Sequence, residues 1–132
     1  MFINFVENET TIGTTYANAQ GFFSQIFTGL SPNVHNIGVF GTDDQNYSTA
    51  TTFVEVYTPA YEIVARGGII LPPTIRIDQD TIYQGDDLVV TGHGIPSYHA
   101  NIFTEPPLNN YEINIDANGD FSYTITLSLI HI

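Results

Sequence analysis

The chain contains no cysteine, no tryptophan and no lysine. Without cysteine there is no disulfide framework, no thiolate metal site and no cysteine nucleophile. The cations are Arg66 and Arg76, which stand against fourteen Asp and Glu residues and leave a formal net charge of −12. Because nucleic acids and anionic lipid surfaces are bound through basic side chains, we expect neither to be a partner.

Long apolar runs and helical periodicity are also missing. No stretch approaches the roughly eighteen apolar residues that a membrane-spanning helix needs, so we expect no membrane insertion. No window of about a dozen residues has apolar positions at i, i+3, i+4 and i+7. An apolar content of 42% is enough to build a core, and 132 residues allow one domain or parts of two.

Strand-forming residues dominate what is present. Thr, Val, Ile, Tyr and Phe recur, and clusters of Gly, Asn, Asp and Pro interrupt them about every eight to twelve residues. This spacing predicts an all-β fold, an antiparallel sandwich. The predicted strands are Phe2–Glu7, Thr11–Ala17, Phe22–Thr28, His35–Thr42, Thr51–Tyr57, Thr74–Asp78, Asp87–Gly92, Ala100–Thr104, Tyr111–Ile115 and Asp120–Thr126.

An internal repeat is the strongest signal. When the chain is shifted by 98 residues, its first part lies over its last part without a gap. Two turn sequences, Asn18–Gly21 and Asp116–Gly119, then coincide, and each ends in a Gly that can adopt positive φ. The identical pairs are Phe5 and Phe103, Glu7 and Glu105, Ala19 and Ala117, Gly21 and Gly119, Phe23 and Phe121, Ser24 and Ser122, and Thr28 and Thr126. This period fits one seven-stranded sandwich of about 100 residues.

The repeat predicts two partial units. Residues 1–66 are the C-terminal part of one unit, with a linker from about residue 58, and residues 67–126 are the N-terminal part of the next. Gly67–Gly68 gives the linker a flexible point, and Pro72–Pro73 favours extended backbone. We expect each half to be poorly stable, with the apolar face of Phe121, Tyr123 and Ile125 only half covered.

Several short motifs follow one another in a recognisable order. They are Leu71–Ile75 (LPPTI), Tyr83–Asp86 (YQGD), Leu88–Gly92 (LVVTG), Gly94–Pro96, Ala100–Phe103 and Asp116–Ser122 (DANGDFS), and, in the earlier unit, Gly29–Pro32, Ile37–Val39 and Thr42–Asp43. In this order they resemble the tandem bacterial Ig-like repeats of large exported proteins.

The resemblance covers about residues 2–126 and implies a function. It implies Ig-like β-sandwich units that act as a non-catalytic spacer in a bacterial extracellular or cell-surface protein, with neighbouring repeats as partners. Two alternatives stay open, which are an adhesion or carbohydrate-binding module that recognises a glycan or surface protein, and an accessory domain of a secreted hydrolase.

The last six residues depart from the repeat. The register predicts Gly-Leu after Thr126, as at Gly29 and Leu30, but the chain gives Leu127–Ile132 (LSLIHI). This hexapeptide resembles one translated frame of an adapter used in preparing sequencing libraries. We therefore expect residues 127–132 to be foreign to the parent gene.

Candidate catalytic and metal sets are weak. The pairs Asp43–Asp44 and Asp86–Asp87 are neighbours whose side chains point to opposite faces of an extended strand, whereas glycosidases set two carboxylates across a cleft. His93 and His99 flank a Gly-x-Pro corner, but zinc sites usually take three protein ligands. We expect no catalytic residue, no cofactor and no metal, and we expect the histidines, His35 included, at loops or strand edges.

Two weaker hypotheses concern calcium and glycans. Asp116–Asp120 is similar to the start of a calcium loop but lacks the length and the closing Glu of an EF-hand, so a tight hairpin is favoured. Calcium at a junction between units is the alternative, with Asp78, Asp80, Asp86 and Asp87 near one end. The tyrosines could form a sugar-stacking platform; they are Tyr16, Tyr47, Tyr57, Tyr61, Tyr83, Tyr98, Tyr111 and Tyr123.

Overall fold

A computed structural model of the protein describes residues 1–105 and 108–126; the predicted foreign tail lies outside them. The described residues form nine strands and no helix, which confirms the all-β class, and every pairing is antiparallel. The strands are β1 (Phe2–Glu7), β2 (Thr10–Tyr16), β3 (Val34–Thr42), β4 (Thr52–Tyr57), β5 (Arg76–Ile77), β6 (Asp87–His93), β7 (His99–Thr104), β8 (Asn109–Asn114) and β9 (Asp120–Thr126).

The chain divides into two compact units. Unit 1 comprises Met1–Asn18 and Phe22–Pro72, and unit 2 comprises Ala19–Gly21 and the chain from Pro73 onward. Ile69 and Leu71 belong to unit 1 because they pack into its core.

Unit 1 contains one four-stranded sheet in the order β2-β1-β3-β4. Phe5 of β1 pairs with Val39 of β3, and alternate residues of each strand face the same side. Ile3, Phe5, Ile37 and Val39 are therefore buried together, and Leu71 completes their cluster.

The segment that covers this cluster is not a strand. The rings of Phe23 and Phe27 pack edge-on against Phe5, with centroid distances of 6.1 and 5.2 Å. Residues 22–28 nevertheless join no sheet, so the predicted strand Phe22–Thr28 is wrong. A strand is completed by a hydrogen-bonding neighbour, and no described strand lies beside this segment.

Unit 2 contains a three-stranded sheet, β5-β6-β9, and a two-stranded sheet, β7-β8. Leu88 of β6 pairs with Ile125 of β9, and Val90 pairs with Tyr123. All four long strands contribute to one core, whose buried members are Leu88, Val90, Ile102, Ile113, Ile115, Phe121 and Ile125. The expectation of a half-covered apolar face is therefore wrong, since Phe121 and Ile125 are only 7% and 3% exposed.

The entry to unit 2 is tightly packed around Thr74. Its amide donates to the His93 carbonyl at 2.8 Å, and the His93 amide donates to its hydroxyl at 2.9 Å. Gly92 lies against the Thr74 carbonyl and the Phe121 ring, so a side chain at position 92 would collide with both. The predicted strand Thr74–Asp78 shortens to β5.

Candidate functional site

Two turns, 98 residues apart, have the same hydrogen bonds. In the first, the Asn18 amide donates to the Phe22 carbonyl at 2.8 Å, and the Phe22 amide donates to Asn18 Oδ1 at 2.9 Å. In the second, the Asp116 amide donates to the Asp120 carbonyl, and the Asp120 amide donates to Asp116 Oδ1, both at 2.9 Å. The likeness between the two sequences therefore extends to their backbone geometry.

Both turns also require glycine. Gly21 and Gly119 have φ values of 86° and 88°, in the left-handed region that side chains disfavour. In the second turn Asp116 Oδ1 accepts a further amide bond, from Asn118 at 2.9 Å. This carboxylate oxygen thus bridges two backbone amides, as in an Asx turn.

Upstream of the turns the correspondence shifts by one residue. The pairing of β1 with β2 has a bulge between Phe5 and Val6, whereas the pairing of β7 with β8 keeps one continuous register. Phe5, 5% exposed, therefore takes the place of Ile102, 8% exposed, while Phe103 is 62% exposed. The sequence match between Phe5 and Phe103 is one of residue type and not of position.

A hydrogen bond in each unit follows the shifted register. The Ala17 amide donates to the Met1 carbonyl at 3.0 Å, and the Ile115 amide donates to the Tyr98 carbonyl at 2.8 Å. The residue numbers of the two donors differ by 98 and those of the two acceptors by 97. The bulge between Phe5 and Val6 accounts for this difference of one residue. In structural terms Met1 therefore corresponds to Tyr98.

A buried histidine forms the most enclosed polar cluster of unit 1. His35, in β3, is 7% exposed. Its Nδ1 lies 2.7 Å from Glu7 Oε2, and its Nε2 lies 2.8 Å from the Ser31 carbonyl oxygen. A carbonyl and an ionised carboxylate only accept hydrogen bonds, so both ring nitrogens must carry a proton for both bonds to form. The geometry therefore favours an imidazolium paired with the Glu7 carboxylate.

The electrostatics agree with this charge state. The hydrogen bond to the Ser31 carbonyl raises the pKa of His35 above its ordinary 6.5, and the bond and charge of Glu7 raise the pKa further, against the opposing effect of burial. The Ser31 carbonyl also accepts the Thr58 hydroxyl at 2.7 Å, and the Thr58 amide donates to the Asn33 carbonyl at 2.9 Å. The cluster ties the ends of three strands to one loop, which is a structural role.

An open groove of about 290 Å³ runs beside β4, an edge strand of unit 1. It is lined by residues 52–55 and by Arg66–Ile70. The Phe53 ring lies over Gly38, where an added Cβ would come within 3.2 Å of it, and the side chain is still 66% exposed. Glu55 projects on the same side of β4 as Phe53, because it is two residues further along. The groove therefore combines one exposed aromatic ring with the charged side chains of Glu55 and Arg66.

Three carboxylates of the adjacent pairs, those of Asp43, Asp86 and Asp87, have hydrogen-bonding roles in turns and between strands. Asp43 Oδ1 accepts two amide bonds in the turn after β3. Asp86 Oδ2 accepts the Tyr83 amide at 3.0 Å, and Asp87 Oδ1 accepts the Thr126 hydroxyl at 2.8 Å, which joins β6 to β9. Each of these carboxylates is therefore occupied by a nearby donor of the chain.

His93 and His99 each lie near a different carboxylate. His93 Nδ1 lies 3.0 Å from Asp120 Oδ1, and His99 Nδ1 lies 3.7 Å from Glu112 Oε1. Among residues 1–105 and 108–126, no group of three or more His, Asp and Glu side chains could hold a metal ion. No helix in the same residues is long and apolar enough to cross a bilayer.

The tyrosines of the predicted platform have different surroundings. Tyr111 and Tyr123 pack on each other in unit 2 at 5.6 Å, and Tyr16 packs on Phe2 in unit 1 at 5.0 Å. Tyr61 is fully exposed.

Comparison with known proteins gives no match to a protein family, a curated protein or a solved structure. Function is therefore inferred from the geometry of the chain itself.

Sequence reasoning missed the His35–Glu7 pair. His35 is buried, whereas a loop or strand-edge position was expected. The available signal was strand alternation, because His35, Ile37 and Val39 share one face of β3 and the last two are plainly core residues. Nothing in the sequence pointed to Glu7 as its partner, because Glu7 lies in a different strand, 28 positions away.

Proposed function

We propose that the chain is part of an array of Ig-like β-sandwich repeats with a structural, non-catalytic role in a bacterial extracellular or cell-surface protein. Its partners are neighbouring repeats of the same kind. Residues 1–66 and 67–126 belong to successive repeats, and the period is 98 residues.

The observation that carries this proposal is the pair of matching turns, Asn18–Phe22 and Asp116–Asp120, with their shared hydrogen bonds. Four features recur with these turns. They are the positive-φ Gly, the core aromatic that follows it, the antiparallel strand pair that precedes the turn, and the amide–carbonyl hydrogen bond next to that strand pair. These shared features support a repeat with this period.

The strand orders of the two units support the same proposal. If β1 and β2 are equated with β7 and β8, the two units together supply one sheet β5-β6-β9 and one sheet β8-β7-β3-β4. These are seven different strands in two antiparallel sheets, which is the make-up of an Ig-like sandwich of about 100 residues. The net charge of −12 favours solubility and repulsion between neighbouring chains.

The test is to duplicate residues 22–119 in place, so that Gly119 is followed by a second Phe22. The middle of the lengthened chain then contains all seven strands in order. Pulled in an atomic force microscope, each added copy should unfold in one step, with a contour-length gain of roughly 340 Å for the extended segment. The matched control duplicates residues 34–119 only and omits the 22–33 segment.

The proposal predicts a cooperative unfolding step from the full duplication and none from the shorter one. An added segment that stays unfolded, or a control that unfolds with the same force, would contradict a repeat with this period.

A second candidate function is favoured by the groove beside β4. Phe53 offers an exposed ring, and Glu55 and Arg66 offer a hydrogen-bond acceptor and a hydrogen-bond donor. We propose weak carbohydrate binding there as the alternative role. Cello-, xylo- and chito-oligosaccharides titrated into labelled protein should shift the amides of residues 52–55 and 66–70 in NMR spectra.

A matched pair of variants tests the glycan proposal. Phe53→Ala should abolish the shifts, whereas Phe22→Ala, which removes a similarly exposed ring outside the groove, should leave them unchanged. Shifts that survive Phe53→Ala, or no shift with any of the three sugars at millimolar concentration, would rule the groove out as a binding site for these sugars.

A further inference from the structure

We propose that Phe22–Thr28 is the docking edge for a strand pair with the sequence of residues 73–97, supplied by the N-terminal part of the same repeat, and that it becomes a strand by pairing with it. The inference rests on the proposed array. It names the surface through which the two parts of one repeat join.

Unit 2 displays the pairing that unit 1 lacks. β9, the counterpart of Phe22–Thr28, pairs along its whole length with β6, from Asp87 opposite Thr126 to His93 opposite Asp120. The turn before each segment has the same two hydrogen bonds, so Phe22–Thr28 starts from its turn as β9 does. What differs is the neighbour.

The side chains of the segment already alternate as β9 does. Phe23 and Phe27 face the unit 1 core, as Phe121 and Ile125 face the unit 2 core. Ile26 is 85% exposed and corresponds to the outward Thr124. The segment therefore has the correct faces and lacks only the backbone partner.

The β6 sequence is complementary to this segment in one register. In unit 2, Gly92 lies opposite Phe121, and its missing side chain makes room for the ring. The same offset places Gly92 opposite Phe23, another phenylalanine, Val90 opposite Gln25 and Leu88 opposite Phe27. The β6 of this chain is already paired with β9, so the strand must come from a second copy of the sequence.

The core of unit 1 shows what the incoming pair would replace. Ile69 and Leu71 now pack on the cluster around Phe5, and Leu71 is 7% exposed. In unit 2 the corresponding core is filled by Leu88 and Val90 of β6. We expect docking to release Leu71 to solvent.

The experiment adds a second copy of residues 73–97 ahead of Met1 in the full chain, since Met1 corresponds to Tyr98. Amide exchange measured by NMR should slow by about 100-fold or more at every second residue of 23–28, because alternate amides become part of a ladder with the added strand. Methyl resonances of Leu71 should shift toward the values of an exposed leucine. The control extension carries Leu88→Asp and Val90→Asp in the added copy and should leave both readouts as in the unextended chain.

A crosslink reports the register without relying on stability. The chain has no native cysteine. In unit 2, Val89 lies opposite Thr124, the counterpart of Ile26. Cysteines at Ile26 and at Val89 of the added copy should form a disulfide within one molecule under mild oxidation, whereas cysteines at Ile26 and at Thr81 of the added copy should not.

Unchanged exchange at residues 23–28 in the extended chain, or equal crosslinking by both cysteine pairs, would overturn the inference. Concentration-dependent protection of residues 23–28 in the unextended chain would overturn it too, because the segment would then pair between identical copies. If duplication of residues 22–119 yields a folded unit while the disulfide fails, the docking edge is wrong and the array is not.

Discussion

Phe22–Thr28 and β9 begin at turns with the same hydrogen bonds, and both place aromatic or aliphatic side chains in a core at the same alternate positions. β9 is a strand, and Phe22–Thr28 is not. The only large difference is that β6 lies beside β9. Side-chain alternation and turn chemistry are local properties of sequence, whereas strand identity depends on a partner that is distant in the chain.

The largest expected effect comes from truncating the aromatic ring that each segment places in its core. Phe121→Ala should destabilise unit 2 by about 3–5 kcal/mol, because the ring is buried between two sheets. Phe23→Ala should cost about 1–2 kcal/mol in unit 1, because its ring is partly exposed and its segment is unpaired. Urea unfolding, followed by amide exchange for each unit, measures both. Equal losses would break the comparison.

The next effect tests the close packing that β6 supplies to β9. Gly92→Ala should destabilise unit 2 by about 2–3 kcal/mol, because the added Cβ meets the Thr74 carbonyl and the Phe121 ring. The control is Gly67→Ala, where an added Cβ has open space and the effect should stay within about 0.5 kcal/mol. Urea midpoints for the two variants provide the measurement, and a tolerated Gly92→Ala would contradict the assigned packing.

The pH effect expected from His35 concerns unit 1. Because the folded-state pKa of His35 lies above 6.5, its stabilising contribution is complete below about pH 6.5 and is lost as the pH rises through the raised value. Glu7→Gln should lower the free energy of unfolding of unit 1 by about 2 kcal/mol at pH 6, because it replaces a charged hydrogen-bond acceptor by a neutral one.

The pH comparison uses histidine variants. His35→Gln should abolish the loss of unit 1 stability between pH 6 and pH 9, and His99→Gln, at an exposed pair in unit 2, should not change it. A pH profile of unit 1 that is the same with and without His35 would show that the pair does not titrate as assigned.

The smallest effect should come from exchanging the residues that close the two turns. Asp116→Asn and Asn18→Asp preserve the side-chain oxygen that accepts the amide bond, so each should change stability by about 0.5 kcal/mol or less. Asp116→Ala removes that acceptor and should cost about 1 kcal/mol. Thermal unfolding of the three variants ranks them. Equal losses for Asp116→Asn and Asp116→Ala would mean that the carboxylate charge matters more than the hydrogen bonds that its oxygen accepts.

Much of the fold could be predicted because its signals are local. Apolar residues at alternate positions, such as Ile37 and Val39 or Phe121 and Ile125, are typical of strands and agree with β3 and β9. The Gly-containing turns predicted where strands begin. Leu71 could not be assigned from sequence, because its position before two prolines is typical of a linker, whereas its burial depends on the sheet that it contacts.

The candidate sites show the same contrast between local signals and contacts of distant residues. That Asp116 closes a turn follows from its immediate neighbours and was the favoured hypothesis. The pairing of His35 with Glu7 joins residues 28 positions apart, and the groove beside β4 joins Phe53 to Arg66; neither contact has a signature within one strand. The bulge at Phe5 is also invisible to a gapless alignment, which is why Phe103 was matched to the wrong position.

The matching turns have a consequence for how a gene of this kind can change length. Recombination between the codons of the two turns joins Gly119 to Phe22, or Gly21 to Asp120. In either product the junction retains the side-chain acceptor, the positive-φ glycine and the two amide bonds that close the turn. In the array proposed above, unequal crossing-over at this point inserts or deletes 98 residues, one proposed period, and leaves the turn at the junction intact.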